Sequence, residues 1–331
     1  MHKGRKMFNK TIYDKDTTDI IANKISSISE YLEAINYFNG EFIMGNLYRG
    51  QRNSDWKVMS SLTRKLIPPK NIIINSNINL ANTNKILFIK YKKNKVNKML
   101  DNRKKIIFNG YTIFQNLLPT YIDEITSKDY LLNSNLSLLL LAQHYGYPTR
   151  FIDWSLNPLV ALYFAVEKST PDTKETPAVF IYQPEITLTG IEFSKSLENK
   201  SNSVINESKN SPPDSFINSG KMGSFILKLL SLCELMEEND PAYNTPIAIT
   251  HYAFDKRMIN QECMFTYQNN IYKEFKPHNK GNYKKITIAN PYKIKNELIT
   301  LGYNESKIYP SISGLANSLV HNHANDFYRW S

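Results

Sequence analysis

The sequence has little cysteine: Cys233 and Cys263 are the two cysteines in a chain of 331 residues. They lie far apart and form no CxxC pair, which excludes a dense disulfide framework and a zinc knuckle. The N-terminal stretch MHKGRKMFNK is polar and has no apolar signal core. Apolar runs such as LSLLLLA at residues 136–142 are too short to cross a bilayer. These absences predict a reduced, cytoplasmic protein without a membrane span.

Several short catalytic signatures are also absent. The chain contains neither GxGxxG nor GxxxxGK[ST], so no Rossmann or P-loop phosphate cradle is encoded. It contains neither HExxH nor GxSxG. We therefore expect no metal centre and no serine hydrolase elbow, and a phosphate site would have to be built in another way.

Acidic residues are outnumbered by basic ones, 30 against 41, for a formal net charge of +11. An excess of positive charge suits an anionic partner such as nucleic acid, a nucleotide or a membrane surface, although a general bias of the composition toward lysine produces it as well. Residues 90–105 are the most basic segment and are predicted to be helical. This segment is either a contact surface for nucleic acid or a protein acceptor, or simply a solvated helix face.

Hydrophobic periodicity divides the chain into helices followed by strands. Helices are predicted at residues 25–38, 86–107, 111–125, 130–144, 157–168, 291–301 and 312–321. Strands are predicted at residues 41–50, 177–182, 246–250, 261–267 and 284–288. Because helices dominate the first half and strands the second, the fold class is expected to be α+β, with a helical N-terminal half packed on a mixed or antiparallel β core.

Three polar clusters interrupt the apolar segments, and the first is LYRGQRNSDW at residues 47–56. Arg49 lies at the end of a predicted strand, and its guanidinium is a planar fork of donors that suits a phosphate or a carboxylate. Gly50 allows another backbone or a ligand to approach closely. The alternative for Arg49 is a structural ion pair, for example with Asp153.

The second cluster lies within AQHYGYPTRFIDWSLNP at residues 142–158. In an extended segment Thr149 and Asp153 would point to one side, and Arg150 and Trp154 to the other. A buried charge needs a partner, which is either a protein group or a ligand. Trp154 either stacks on a base or a nicotinamide ring or belongs to the core.

The third cluster, KRMINQECMFTYQ, covers residues 256–268. Gln261 and Glu262 open a strand-like run that is otherwise apolar. Glu262 is the best candidate in the chain for a catalytic carboxylate. The alternative is a charge that keeps an edge strand soluble.

Together the three clusters resemble the FRG domain family. Tyr48-Arg49-Gly50 matches the motif that names the family, and QHYGYPTRFIDWSLNP at residues 143–158 matches its central signature. A third element is similar from Arg257 to Thr266, although Cys263 replaces the usual glycine, and LITLGYNESKIYPSISGLANSL resembles the closing segment. The resemblance predicts an FRG domain at residues 25–322 with insertions at about 71–105 and 198–223, an N-terminal extension at 1–24 and a tail at 323–331.

The resemblance implies an effector of a bacterial toxin, anti-phage or abortive-infection system, because FRG domains occur in such proteins. The motif order is similar to that of ADP-ribosyltransferases, which implies a split sheet and NAD as the substrate. By that likeness Arg49 holds the pyrophosphate, Thr149 or Ser155 fills the second place, and Gln261 or Glu262 acts on the ribose. Tyr48 and Trp154 would flank the nicotinamide.

Two other functions stay open at this point. One is a non-catalytic sensor that binds a nucleotide or nucleic acid, and the other is a nuclease that uses His144, Asp153 and Glu262. Across these possibilities the expected site falls into two groups. The catalytic candidates are Glu262, Gln261 and His144. The expected ligand-binding residues are Tyr48, Arg49, Gly50, Thr149, Arg150, Asp153, Trp154 and Ser155.

Overall fold

A computed structural model describes residues 24–39, 45–66, 93–121, 135–193, 195, 246–253, 255–268, 274–275, 277 and 279–327. Within these ranges the helices are α1 Ile28–Asn39, α2 Ser61–Leu66, α3 Lys93–Leu117, α4 Asn135–His144, α5 Pro158–Val166, α6 Lys256–Asn260, α7 Pro291–Thr300, α8 Glu305–Ile308 and α9 Ile312–Phe327. Short 3-10 helices occupy Leu118–Thr120 and Lys280–Asn282.

The described strands form one mixed, seven-stranded sheet. They are β1 Leu47–Gln51, β2 Phe151–Ser155, β3 Ala178–Tyr182, β4 Ile186–Thr189, β5 Ile247–Thr250, β6 Cys263–Tyr267 and β7 Tyr283–Thr287. Their order is β4-β5-β6-β2-β1-β3-β7, with β4 and β5 parallel and the other neighbours antiparallel. The motif strands β1 and β2 are therefore neighbours near the middle of the sheet, with Tyr48 opposite Ser155.

Helix α5 packs against the motif strands. Asn157 caps it by accepting hydrogen bonds from the main-chain N–H groups of Leu159 and Val160, and Pro158 occupies its first turn. Its residues from Val160 to Val166 are almost all buried, together with apolar side chains of β1, β3, α1 and α7. This packing sets the helix directly against β1.

Helix α4 packs on the sheet with a second apolar cluster. Residues 136–142 are all buried because the LSLLLLA run has no polar face to present to water. The helix ends at His144, and Gly146 then turns the chain toward β2 with a φ of 90°. The polar residues between α4 and β2 are thereby brought into the interior.

The α+β class predicted from the sequence is confirmed, with helices and a mixed sheet. The described parts of the predicted helices at 86–107 and 111–125 form the single helix α3 up to Leu117, and the 3-10 helix Leu118–Thr120 follows it. The predicted strand at 261–267 begins two residues later, at Cys263, because α6 occupies Lys256–Asn260 and Glu262 adopts a φ of 47°. Strand β4 and the short helices α2, α6 and α8 were not predicted, since they are too short to show periodicity.

Several predicted segments lie outside the described residues. The longer ones are residues 1–23, 40–44, 67–92, 122–134, 196–245, 269–273 and 328–331. They include most of both predicted insertions, the first lysines of the basic segment, the start of the predicted strand at 41–50 and parts of the predicted helices at 111–125 and 130–144. The predicted domain limits therefore stay predictions. Among the helices that the structure describes, none combines the length and apolar character needed to cross a membrane.

Candidate functional site

A cavity of about 460 Å³ opens where β1, β2 and the start of β6 meet the C-terminal end of α5. All three polar clusters of the sequence contribute to it, through Arg49 from β1, Asp153 from β2 and Gln261 before β6. The pairing of β1 with β2 and of β2 with β6 explains the convergence, because it places distant segments side by side. The volume lies within the range of about 300–1,000 Å³ that is common for small-molecule sites.

Positive charge dominates the lining of the cavity. The basic side chains are Arg49, Arg52, Arg64, Lys168 and Arg257, whereas the carboxylates are Asp153 and Glu167. Arg52, Arg64 and Lys168 are exposed and so stand at the rim, while Arg49 reaches deeper. An excess of cations around a concave surface raises the local concentration of anionic ligands.

Arg49 is a partly buried residue whose guanidinium has spare donor capacity. Its Nη1 donates a hydrogen bond to the main-chain oxygen of Asp153 at 2.6 Å, while its Nε is buried and has no partner. Burial lowers the pKa of Arg49, and the negative charge of Asp153 opposes that shift. A buried donor that is left unsatisfied is costly unless a ligand provides an acceptor.

Asp153 presents the matching unsatisfied acceptor. Its Oδ2 accepts a hydrogen bond from Nε2 of Gln143 at 2.9 Å, but its Oδ1 is buried without a partner. Thr149 is fully buried outside the cavity lining and donates from Oγ1 to Oε1 of Gln143 at 2.5 Å. Thr149 therefore orients Gln143, which in turn orients the carboxylate that faces the cavity.

Arg150 and Trp154 belong mainly to the core. Arg150 is fully buried away from the cavity lining, with its guanidinium 5.9 Å from the ring centroid of Tyr267. Trp154 lines the cavity but is only 3% exposed, and its Nε1 donates to Oγ1 of Thr266 at 2.8 Å. Tyr48 is similarly enclosed at 6% exposure. Little of either ring is available to stack on a ligand.

The neighbours Gln261 and Glu262 point to different sides. Gln261 lines the cavity, and its Nε2 donates to the main-chain oxygen of Ile308 at 3.0 Å. The main-chain oxygen of Gln261 accepts a hydrogen bond from Oγ of Ser155 at 2.7 Å. Glu262 is exposed and lies outside the cavity lining, where its Oε1 accepts from Nδ2 of Asn157 at 2.8 Å.

His144 lies between a thiol and a carboxylate. Its Nδ1 is 3.9 Å from Sγ of Cys263, and its Nε2 is 3.8 Å from Oδ1 of Asp255. Burial and the nearby charge of Arg257 lower the pKa of His144, and burial raises the pKa of Cys263. Both shifts favour neutral side chains, so the pair holds no ready thiolate nucleophile. No group of three or more His, Cys, Asp or Glu suited to a metal ion occurs in the part of the chain that the structure describes.

Sequence reasoning did not predict several lining residues, and three of them are Glu167, Arg257 and Trp56. Glu167 directly follows the apolar helix α5, accepts a hydrogen bond at Oε2 from the Tyr309 hydroxyl at 2.9 Å, and has its pKa raised by burial. The Arg257 guanidinium lies 5.1 Å from the ring centroid of Tyr309. Trp56 lines the cavity while 49% exposed. Arg257 and Trp56 lie within the polar clusters of the sequence, and the signal for Glu167 was its charge immediately after an apolar helix.

Comparison with curated proteins and with solved structures gives no match. The FRG domain family matches residues 45–174, which include β1, α4, β2 and α5. Two of the three polar clusters fall inside the match, whereas the segment with Arg257 and Gln261 lies beyond it. The motifs and this match agree, and the chain contains an FRG domain at residues 45–174.

Proposed function

We propose that the cavity binds a phosphate-bearing nucleotide and that the protein uses NAD as the substrate of an ADP-ribosyltransferase-like reaction. The observation that carries the proposal is the partly buried Arg49, whose guanidinium has a buried Nε with no protein partner, in a cavity with an excess of basic side chains. A guanidinium offers paired N–H donors that match phosphate oxygens.

The arrangement of the basic residues suits a ligand with more than one phosphate. Arg49 reaches into the cavity, while Arg52 and Arg64 are exposed at its rim. A pyrophosphate bound at Arg49 would satisfy the free Nε, and the rim arginines would neutralise the rest of its charge. Both contacts strengthen in a site that is partly closed to water.

The reaction breaks the bond between the nicotinamide nitrogen and the ribose carbon. The bonding electrons leave with nicotinamide, positive charge develops on the ribose, and an acceptor oxygen then attacks that carbon and loses its proton. A nearby carboxylate stabilises this transition state. In our proposal Asp153 has that role, because the residue lines the cavity and its Oδ1 has no protein partner, whereas Glu262 lies outside the lining.

The test is release of nicotinamide from NAD by the purified protein. Asp153→Asn should lower kcat about a hundredfold, since electrostatic groups of this kind contribute roughly 10²–10³. Arg49→Met should mainly weaken NAD binding. Glu262→Gln is the matched control, because it also removes one carboxylate near the site, and it should retain activity.

Each contrary result has a defined meaning. Tight NAD binding without nicotinamide release would replace the enzyme with a nucleotide sensor. Release that depends on Glu262 but not on Asp153 would return the catalytic role to Glu262. Failure of NAD and of simple nucleotides to bind would refute the proposed function.

The proposal extends to an effector role in toxin or anti-phage defence. An active NAD-consuming enzyme lowers cellular NAD, so expression in bacteria should slow growth. Growth that is equally slow with the Arg49→Met variant would show that the effect does not come from this cavity.

A further inference from the structure

Trp56 stands at the rim of the cavity with half of its surface exposed. It is 49% exposed and shares the lining with Arg52 and Arg64. By contrast, the two aromatic residues expected to flank a ring, Tyr48 and Trp154, are almost completely buried. Of these three aromatic residues, Trp56 has the surface that a ligand could contact.

The position of Trp56 is set by its backbone. Its N–H donates to the main-chain oxygen of Asn53 at 3.2 Å, and its own main-chain oxygen accepts from Nε2 of Gln51 at 3.2 Å. The turn is anchored further because the N–H of Ser54 donates to the main-chain oxygen of Thr176 at 2.7 Å. An exposed tryptophan on an anchored turn loses little additional freedom when a ligand binds.

The ring of Trp56 is in contact with the positively charged side chain of Arg52. The Arg52 guanidinium lies 5.4 Å from the ring centroid, within the range of a cation–π contact. This contact steadies the ring and holds a positive charge beside it. An aromatic surface next to a phosphate-binding charge is the arrangement that recognises nucleotides, in which a planar base is joined to an anionic group.

We propose that Trp56 is the base-stacking platform of this site, so that the ligand is a nucleotide whose aromatic ring packs on Trp56 while its phosphate is held by the arginines. This inference rests on the proposed function, since it requires a phosphate-bearing ligand in the cavity. It adds that the site distinguishes a nucleotide from a sugar phosphate that has no base.

The test uses ligands that differ only in the base. Binding of AMP, nicotinamide mononucleotide and ribose 5-phosphate is measured by calorimetry. Stacking of one base contributes about tenfold in affinity. We therefore expect at least one of the two nucleotides to bind about tenfold more tightly than ribose 5-phosphate.

Substitutions at Trp56 then assign the effect to this ring. Trp56→Ala should remove the tenfold advantage of the nucleotide and leave the affinity for ribose 5-phosphate unchanged. Trp56→Phe, which keeps an aromatic face, should restore part of the advantage. Arg49→Met is the complementary variant and should weaken all three ligands.

The results separate this inference from the proposed function. If ribose 5-phosphate binds but the base adds no affinity, or if Trp56→Ala weakens all ligands equally, the stacking platform is refuted and the phosphate site stands. If none of the three ligands binds the folded wild-type protein, both proposals fail. Because Trp56 is half exposed, its variants should melt at the wild-type temperature. An unchanged melting temperature would show that a loss of binding comes from the missing ring and not from unfolding.

Discussion

Gly50 gives the sharpest test of how the site is built. A Cβ atom at this position would lie 2.6 Å from the main-chain nitrogen of Ala165 and closer still to the main-chain oxygen of Ala161. Side-chain Cβ atoms do not approach other atoms closer than about 3.0 Å. Gly50→Ala therefore requires α5 to move away from β1.

The loss of stability expected for Gly50→Ala depends on which atoms would have to move. Both obstacles are main-chain atoms of a helix that is buried along most of its length, so no side chain can rotate out of the way. Overpacking a close-packed interior costs about 1–3 kcal/mol. We expect the upper end, about 3 kcal/mol, for this substitution.

Urea denaturation followed by circular dichroism measures the change in the free energy of unfolding. Gly146→Ala is the matched control, because Gly146 has a φ of 90° and a Cβ there would meet no atom within 4 Å. Gly146→Ala should lower the free energy of unfolding only by the backbone strain of a left-handed residue, which is about 1–2 kcal/mol. A Gly50→Ala protein as stable as wild type, or more stable than Gly146→Ala, would refute the close packing of α5 on β1.

Two further predictions concern titratable groups. Burial lowers the pKa of His144 and of His251, so the unfolded chain binds more protons than the folded one below about pH 6.5, and stability should fall as the pH drops from 7 to 5. His144→Gln should make the urea midpoint less dependent on pH over that range, and an unchanged slope would contradict a depressed His144 pKa. Burial raises the pKa of Cys263, so in a Cys233→Ser background iodoacetamide should modify the folded protein at pH 8 much more slowly than the urea-unfolded chain. Equal rates would show that the thiol is neither buried nor held neutral.

The local sequence was sufficient to predict the elements around the site. Helix α5 was recognisable because Asn157 and Pro158 are typical of a helix start and the residues after them are apolar. The α+β class followed from the distribution of helical and strand periods, and the FRG resemblance followed from motifs that need no structure to be seen. Strand β4 and the short helices were not predicted, because segments of four to six residues carry too few periods.

The direction of individual side chains was beyond the sequence. Alternation placed Arg150 and Trp154 opposite Asp153, but it did not show that Arg150 would be enclosed beside Tyr267 while Asp153 faced the cavity. The left-handed φ of Glu262 likewise sends its carboxylate to Asn157, although Gln261 before it lines the cavity. Both outcomes depend on strand pairing and on a turn rather than on residue type.

The sequence by itself determined the resemblance to the FRG domain, the α+β class and the concentration of polar residues in three segments, because these depend on composition, period and order along the chain. Only the tertiary structure decided that Arg49, Asp153 and Gln261 share a cavity, that Glu167 and Trp56 join them, and that Gly50 is required by the helix above it. The physical reason is that a site is defined by which surfaces remain uncovered after packing, and packing is settled by contacts between residues far apart in the chain.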